Sequence, residues 1–343
     1  MYKASFSGAM EKKCYDKIIE SNPIKISIIA PVYGVECYIE RFAESILSQT
    51  YPNIEFIFVN DGTKDKSIDI LEKLIERKYA FRREHIKIIH KQNGGLPAAR
   101  RSGLECATGD YVYNVDSDDW LAEDAIQRIA DTIVATNADI VYFNFIKEYN
   151  NKSKLKKERH YSLDQKELYL RNMYTHKSFG SLCNKCICRK LYTENDIFTP
   201  RYGYAEDCCV TTQLVGYAKS IAYLDDYLYH YRKGNPSAMT SQKVRKRKKE
   251  YALNILDLYE AYMDMSKEKN PISVICDDIV IQAGWYSLLY GLGLFDERPY
   301  LAEAILKAHV RRGSNVFLPA QLLVKLVAFF KKYCCPVKLF FDN

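Results

Sequence analysis

An α/β fold, with a central mostly parallel sheet flanked by helices and a helical C-terminal extension, is predicted by three features of this sequence. Short apolar runs alternate with longer amphipathic ones; the apolar runs end in polar turns rich in Gly, Asn or Asp; and beyond Ser241 the pattern becomes helical throughout. The 343 residues suffice for one large or two medium domains with a substantial core, and 48% hydrophobic with 27% charged residues is an ordinary globular composition.

Residues 1–23 are polar, without clear period, and read as a short extension closed by Pro23. Lys25 to Ala30 is a buried strand followed by the turn Pro31-Val32-Tyr33-Gly34. Ile39, Phe42, Ala43, Ile46 and Leu47 then fall at helical spacing on one face. The unit repeats: strand Ile54 to Val59, turn Asn60-Asp61-Gly62-Thr63, and a helix with Ile68, Leu71, Leu74 and Ile75 in its stripe. Strand Ile86 to Ile89 leads through Asn93-Gly94-Gly95 to a helix that has Pro97 in its first turn and continues to about Ala107. Strand Tyr111 to Val115 precedes an acidic turn and a helix with Ile126, Ile129, Ala130, Ile133 and Val134 facing inward; Ala138 to Phe145 is the next strand. This alternation specifies a Rossmann-like sheet, in which ligands bind at the carboxyl ends of the strands. The turns after Ala30, Val59, Ile89 and Val115 are therefore expected on one rim.

Lys147 to His160 is charged enough to read as a loop, and residues 161–235 show little periodicity and many tyrosines. The net charge of +7 is modest and gathers in two runs, Lys147 to Arg159 and Lys243 to Lys249. A solvated loop or helix face explains such runs more simply than an anionic partner, and no nucleic acid partner is expected. Phe317 to Tyr333 is too short, and with Lys325 too charged, for a spanning helix. It reads as an amphipathic helix that either packs on the protein or lies on a membrane.

Eleven cysteines without a secretory signal point to a reduced, cytoplasmic compartment, with peripheral contact on the cytoplasmic face of the membrane left open. Cys183, Cys186 and Cys188, with Cys208 and Cys209, have partial zinc-ligand spacing, but small buried hydrophobes are the commoner fate of free cysteines.

The densest chemical signal is Asp116-Ser117-Asp118-Asp119 at the end of the fourth strand. Three carboxylates within four residues repel one another unless a cation or hydrogen-bonding ligand intervenes, and carboxylate oxygens suit Mg²⁺ or Mn²⁺. A solvated turn capping the next helix is the alternative.

Taken with its neighbours, this turn resembles the DxD motif of the family 2 glycosyltransferases, inverting enzymes of the GT-A fold. The resemblance covers about residues 25–235 and runs in order. Ile26 to Tyr33 is similar to the opening strand, Ser48 to Asn53 to the SLxxQTYxNxE segment, and Val59 to Thr63 to VDDGS. Asn93-Gly94-Gly95 with Ala99-Arg100 is similar to NxGxxxARNxG, Cys183-Asn184-Lys185 to the WNK segment, Glu206-Asp207 to the GED motif, and Tyr229 to Ser237 to YxYRxxxxS. Gly34, Asn60, Arg101 and Ala205 depart from the usual Asn, Asp, Asn and Gly.

The resemblance implies a GT-A domain over 24–240, its nucleotide half about 24–120 and its acceptor half about 121–240, followed by a helical region over 241–343. It implies transfer from a UDP-sugar donor to a hydroxyl of a glycan or lipid-linked glycan acceptor in cell-surface polysaccharide synthesis, with a divalent metal, Mn²⁺ or Mg²⁺, as cofactor. Asp118 would hold the metal, with Asp116 helping and touching the ribose; Asp207 would be the catalytic base and Glu206 would orient it or the acceptor. Pro31, Tyr33, Glu36, Asp61, Arg100, Asp116 and Ser117 would bind the nucleotide-sugar, Asp61 through the uracil imide. His230 and Arg232 would reach the diphosphate from a segment that closes over the donor, and Asp119 would cap the helix beginning near Ala122. A sugar-phosphate nucleotidyltransferase, or a catalytically impaired nucleotide-binding membrane scaffold, are the alternatives. The first wants a glycine-rich loop after the opening strand, where Pro31 to Gly34 stands instead.

Overall fold

The structure, a computed structural model, describes residues 24–174, 177–234, 243–266, 269–310, 316 and 318–333. The extension expected over 1–23 and the end of the Tyr229 to Ser237 stretch lie outside the described residues. The described residues fall into two compact units, one drawn from Met1–Glu158, Leu182–Glu194 and Lys219–Asn235, the other from Arg159–Ser181, Asn195–Ala218 and Pro236–Asn343.

The first unit holds the sheet. Its strands are β1 (Ile26–Val32), β2 (Ile54–Asn60), β3 (Ile86–His90), β4 (Tyr111–Asn114), β5 (Trp120–Leu121), β6 (Ile140–Tyr149), β7 (Lys152–Lys156), β8 (Lys185–Cys188) and β9 (Ile221–Arg232). They lie in the order β3-β2-β1-β4-β8-β6-β9-β5, with β7 paired to β6. The first four are parallel, β8 is antiparallel to β4 and β6, and β9 runs parallel to β6. Every residue of β1 is buried, as its continuous apolar run requires of a strand covered on both faces.

Helices α1 (Ile39–Leu47), α2 (Ser67–Lys78), α3 (Leu96–Cys106) and α4 (Ala125–Thr136) follow in the crossovers. The stripes of α1 and α2 are buried as their spacing requires. In α4, Ile126, Ile129, Ala130 and Ile133 are buried, but Val134 is 63% exposed. Val134 lies one residue past the last turn of the inward stripe, and the helix rotates it off the core. The segment from Lys147, expected as a loop, instead continues β6 to Tyr149, turns at Asn150-Asn151 and returns as β7. Its lysines suit a strand at the margin of a sheet, where charge is tolerated.

A buried carboxylate fastens the start of the sheet. Glu55, with a side chain 4% exposed, accepts the Ser27 hydroxyl, the Thr108 amide and hydroxyl, and the Gly109 amide. Burial pushes its pKa up, but the Ser27 and Thr108 bonds outweigh that and bring it from 4.5 to about 2. Because the folded pKa lies below the unfolded one, the stabilisation, about 3 kcal/mol, is full above the unfolded pKa and fades as pH falls through the folded pKa. Urea melts at neutral and acid pH should therefore show a Glu55→Gln protein losing that stability at neutral pH and losing less than wild type on acidification. Parallel pH profiles for the two proteins would contradict this.

The second unit is helical: α5 (Lys166–Tyr174), α6 (Glu206–Tyr217), α7 (Val244–Tyr262), α8 (Cys276–Tyr290), α9 (Tyr300–Lys307) and α10 (Leu318–Tyr333). Helix α6 is buried on nearly all sides, from Cys208 to Val215. Gly284 lets α8 approach its neighbours, since a Cβ there would lie 2.7 Å from the side chains of both Ile305 and Val324. Helix α10 buries Ala320, Val324 and Ala328 and leaves Leu322, Leu323, Leu326 and Phe329 exposed. Among the described residues no helix is long and apolar enough to cross a membrane.

Candidate active site

The carboxyl ends of β1 to β4 meet at one rim, and hydrogen bonds lace its turns together. Gly34 has φ +67°, a conformation that both Gly and Asn enter readily, which accounts for Gly where the family pattern has Asn. Its amide donates to Thr63 Oγ1 at 2.9 Å, and the Val35 amide donates to Ser67 Oγ at 3.1 Å. Glu36 is occupied in the same seam: its amide donates to Asp65 Oδ2 and its carboxylate accepts the Lys66 amide, both at 3.0 Å. Asn60 accepts the Thr63 amide and contacts His90 Nδ1 with its own amide, two contacts that use both ends of an Asn. Tyr33 is 55% exposed.

Asp61 is 3% exposed and joins the turn after β2 to the turn after β3. Its Oδ1 accepts Lys91 Nζ at 2.6 Å and the Gly94 amide at 2.9 Å, and its Oδ2 accepts the Gly95 amide at 2.8 Å. A carboxylate has about four acceptor positions, so capacity remains on Oδ2 for one external donor.

The acidic turn after β4 is fixed from three sides. The Ser117 hydroxyl donates to the Pro31 carbonyl at 2.6 Å, tying it to β1. Arg100 of α3, itself buried, pairs through one terminal nitrogen with Asp116 Oδ1 at 2.6 Å. Expected on the nucleotide, Arg100 is thus directed at Asp116, and Ser117 and the Pro31 carbonyl at each other. From β9, the Tyr229 hydroxyl donates to Asp119 Oδ2 at 2.5 Å and takes the Asp116 amide at 3.4 Å. The Arg232 amide donates to Asp119 Oδ1 at 2.6 Å, and its Nε to the Asp118 carbonyl at 2.9 Å. Asp119 does not cap the next helix, which starts later, at Ala125; it is a buried anchor for β9. Burial, then the charges of Asp118 and Asp116, push its pKa well up, and the Tyr229 and Arg232 bonds pull against that.

His230 and Arg232 belong to β9 rather than to a closing segment. Trp120 of β5 pairs with His230 across the ladder; their rings stack at 5.0 Å and 14°, and His230 Nδ1 lies 2.7 Å from Glu148. Arg41 covers the Trp120 ring at 3.5 Å, while the Arg232 guanidinium lies 4.7 Å from the Tyr38 ring and 5.0 Å from Trp120. The alternation Tyr229-His230-Tyr231-Arg232 is the signal for this strand; the support that Tyr229 gives the acidic turn, the Trp120 stack and the Arg41 cover carry no local signal, because the first two arise from cross-strand neighbours and the third from helix α1 lying over the Trp120 ring.

In the second unit, Glu206 and Asp207 open α6 after Ala205, whose φ of +60° is the left-handed conformation that explains the family's preference for Gly there. Asp207 Oδ2 accepts the Ser181 hydroxyl at 2.6 Å and Oδ1 the Cys208 amide at 2.9 Å. Glu206 is 2% exposed. The preceding loop is held by Asn254 of α7, which takes the Tyr202 amide and donates to the Tyr202 and Tyr204 carbonyls.

Cys183, Cys186, Cys208 and Cys209 are buried thiols, and burial pushes Cys186 and Cys209 up. Among the described residues no group of three or more His, Cys, Asp or Glu is placed to hold a metal. Two carboxylates on one turn, Asp116 and Asp118, are the donor chemistry that a hard divalent cation would accept, in an open site rather than a closed cage.

The model for "Glycosyl transferase family 2" matches residues 27–195. EpsH of Bacillus subtilis, a glycosyltransferase by name, is 31% identical over 253 residues, which cover 72% of this chain and 70% of that protein. S. aureus TarS 1-349 in complex with UDP-GlcNAc superposes with TM-score 0.60 at 21% identity over 89% of each chain. A mannosyltransferase of Pyrobaculum calidifontis in complex with GDP-Man and Mn²⁺ gives 0.52 at 16% identity over 94% of this chain and 88% of that one. These two structures establish the fold alone. The chain belongs to glycosyl transferase family 2, as a glycosyltransferase of the GT-A fold.

Proposed function

We propose that this glycosyltransferase inverts the anomeric centre of a UDP-sugar as it transfers the sugar to a hydroxyl of a glycan or lipid-linked glycan, with a divalent cation at Asp118. The observation that carries the reading is the acidic turn, held by Arg100, the Pro31 carbonyl and β9 so that Asp116 and Asp118 stay together at the strand ends. A bound cation supplies Lewis-acid neutralisation of the departing diphosphate. Asp116, oriented by Arg100, meets the ribose; Asp61 accepts the imide N–H with its remaining Oδ2 capacity; Tyr33 lies against the base. Asp207 takes the acceptor proton as the new bond forms, since a carboxylate is too weak to ionise an alcohol beforehand. Glu206 orients Asp207 or the acceptor. The UDP-GlcNAc in TarS and the Mn²⁺ in the mannosyltransferase support donor and metal classes.

Transfer assays with a panel of UDP-sugars and Mn²⁺ test this. A β-linked product from an α-linked donor is expected, and retained configuration would remove the inverting assignment.

The exposed stripe Leu322, Leu323, Leu326 and Phe329, with Lys331 and Lys332 in the last turn, also favours peripheral membrane contact at the cytoplasmic face. Sedimentation with anionic vesicles should retain the wild type and release a Leu322→Ser/Leu326→Ser protein; equal retention argues against it.

A further inference from the structure

One face of the β6–β7 hairpin and its neighbour β9 is lined with lysines. Directly paired residues of an antiparallel ladder project to the same face, and the register pairs Phe145 with Lys156, Lys147 with Lys154 and Tyr149 with Lys152. Strand β9 sets Tyr231 beside Lys147, and Lys233 follows two residues later on the same side. Ring contacts agree: Lys147 Nζ lies 5.8 Å from the Phe145 ring, Lys152 Nζ 5.8 Å from Tyr149, and Lys233 Nζ 4.1 Å from Tyr231. Among the described residues no carboxylate forms an ion pair with Lys147, Lys152, Lys154, Lys156 or Lys233. The hairpin's own acid, Glu148, alternates to the other face, where His230 and the Ser153 hydroxyl take it. Lys157, which does have a partner in Asp225 at 2.6 Å, alternates away as well.

Like charges directly opposed across a ladder destabilise it. Burial, then the ammonium groups of Lys156 and Lys154, hold Lys147 below its ordinary pKa, and burial followed by Lys147 does the same to Lys233. An anion lying between these groups would relieve that repulsion. The face is also continuous with the acidic turn: Tyr229, paired with Phe145 and on the same side as Tyr231, donates its hydroxyl to Asp119, and Lys233 feels the charges of Asp119 and Asp118. Lysines two residues apart on a strand are about 6.7 Å apart, so the five form a track leading away from that turn. Lys147, Lys156 and Lys233 are only partly exposed, which suits an elongated ligand in contact with the strands better than a flat lipid surface.

We propose that this lysine face seats a polyanionic acceptor, one bearing phosphate groups along its length, and guides its end toward the acidic turn. The inference rests on the glycosyltransferase reading above. Inorganic polyphosphate serves as the probe and UDP with Mn²⁺ as the control ligand, in titrations at low and moderate salt. The wild type should bind both. A Lys147→Gln/Lys154→Gln/Lys156→Gln protein should bind polyphosphate at least about tenfold more weakly and with a flatter salt dependence, bind UDP as wild type does, and melt no lower, since repulsion is removed. A Lys73→Gln/Lys190→Gln/Lys219→Gln protein of the same net charge should behave as wild type. Equal polyphosphate affinity in the first variant and wild type overturns the proposal, as does an equal loss in the charge-matched control. Wild type that pellets with vesicles of one-third anionic phospholipid yet ignores polyphosphate overturns it in favour of a membrane. Failure of the wild type to bind UDP would instead undo the donor reading.

Discussion

Replacing Asp207 with Asn is expected to lower transfer by about 10²–10⁴-fold while leaving UDP affinity unchanged. The carboxylate sits in the first turn of α6 with each oxygen already located, Oδ2 by the Ser181 hydroxyl at 2.6 Å and Oδ1 by the Cys208 amide at 2.9 Å. Those contacts orient it and leave lone pairs for an incoming proton, which an amide of the same shape cannot accept with comparable basicity. Were Asp207 only a carboxylate favouring the helix N-terminus, the change would cost about 0.3–1 kcal/mol of stability, and the folded fraction would turn over normally. Measuring the melting temperature, UDP affinity and single-turnover rate together separates the two. A full rate from a folded Asp207→Asn protein would place the base elsewhere. Ser181→Ala, which removes only the orientation of Oδ2, should fall between the two proteins.

How much of this was legible in the sequence depends on where the information lies. The strands β1, β2 and β4 and the stripes of α1 and α2 read directly, because a strand buried on both faces is a continuous apolar run and a helix on a sheet repeats every three or four residues. The hairpin from Lys147 did not read, because its charge masked an alternation that the register makes plain. Val134 was misplaced by a single step of helical rotation. In the candidate site, the acidic turn was legible as a cluster, but its support was not. Asp119 looked like a cap for the following helix; its partner Tyr229 stands 110 residues away and reaches it only because β9 lies next to β5 and β6. His230 suggested a closing segment for the same reason, since nothing local announces that Trp120 and Glu148 will hold it. Two departures from the family pattern turned out to be conformational: Gly34 and Ala205 both occupy left-handed backbone, which Gly34 adopts freely and Ala205 only at a cost of about 1 kcal/mol.

A second large effect is expected at Asp118, and the arrangement around it allows the role of the carboxylate to be separated from that of its scaffold. In the wild type, Mn²⁺ should raise UDP affinity, because a cation shared between Asp118 and the diphosphate binds best when both are present. Asp118→Ala should reduce UDP affinity to its metal-free value and remove further gain on adding Mn²⁺, with transfer falling by about 10²–10⁴-fold if the cation stabilises the leaving group by several kcal/mol. Tyr229→Phe leaves both proposed ligands in place and removes the hydroxyl that bridges Asp119 and the Asp116 amide. The buried Asp119 carboxylate then keeps the Arg232 amide and loses a strong donor, a loss of about 1–3 kcal/mol in stability. Metal-dependent UDP binding in this protein should weaken but persist, since the turn is still held by Ser117 and Arg100. Titration of UDP with and without Mn²⁺ therefore ranks the three proteins as wild type, Tyr229→Phe and Asp118→Ala. Mn²⁺ tightening UDP equally in Asp118→Ala and wild type would mean that the cation is held by other groups.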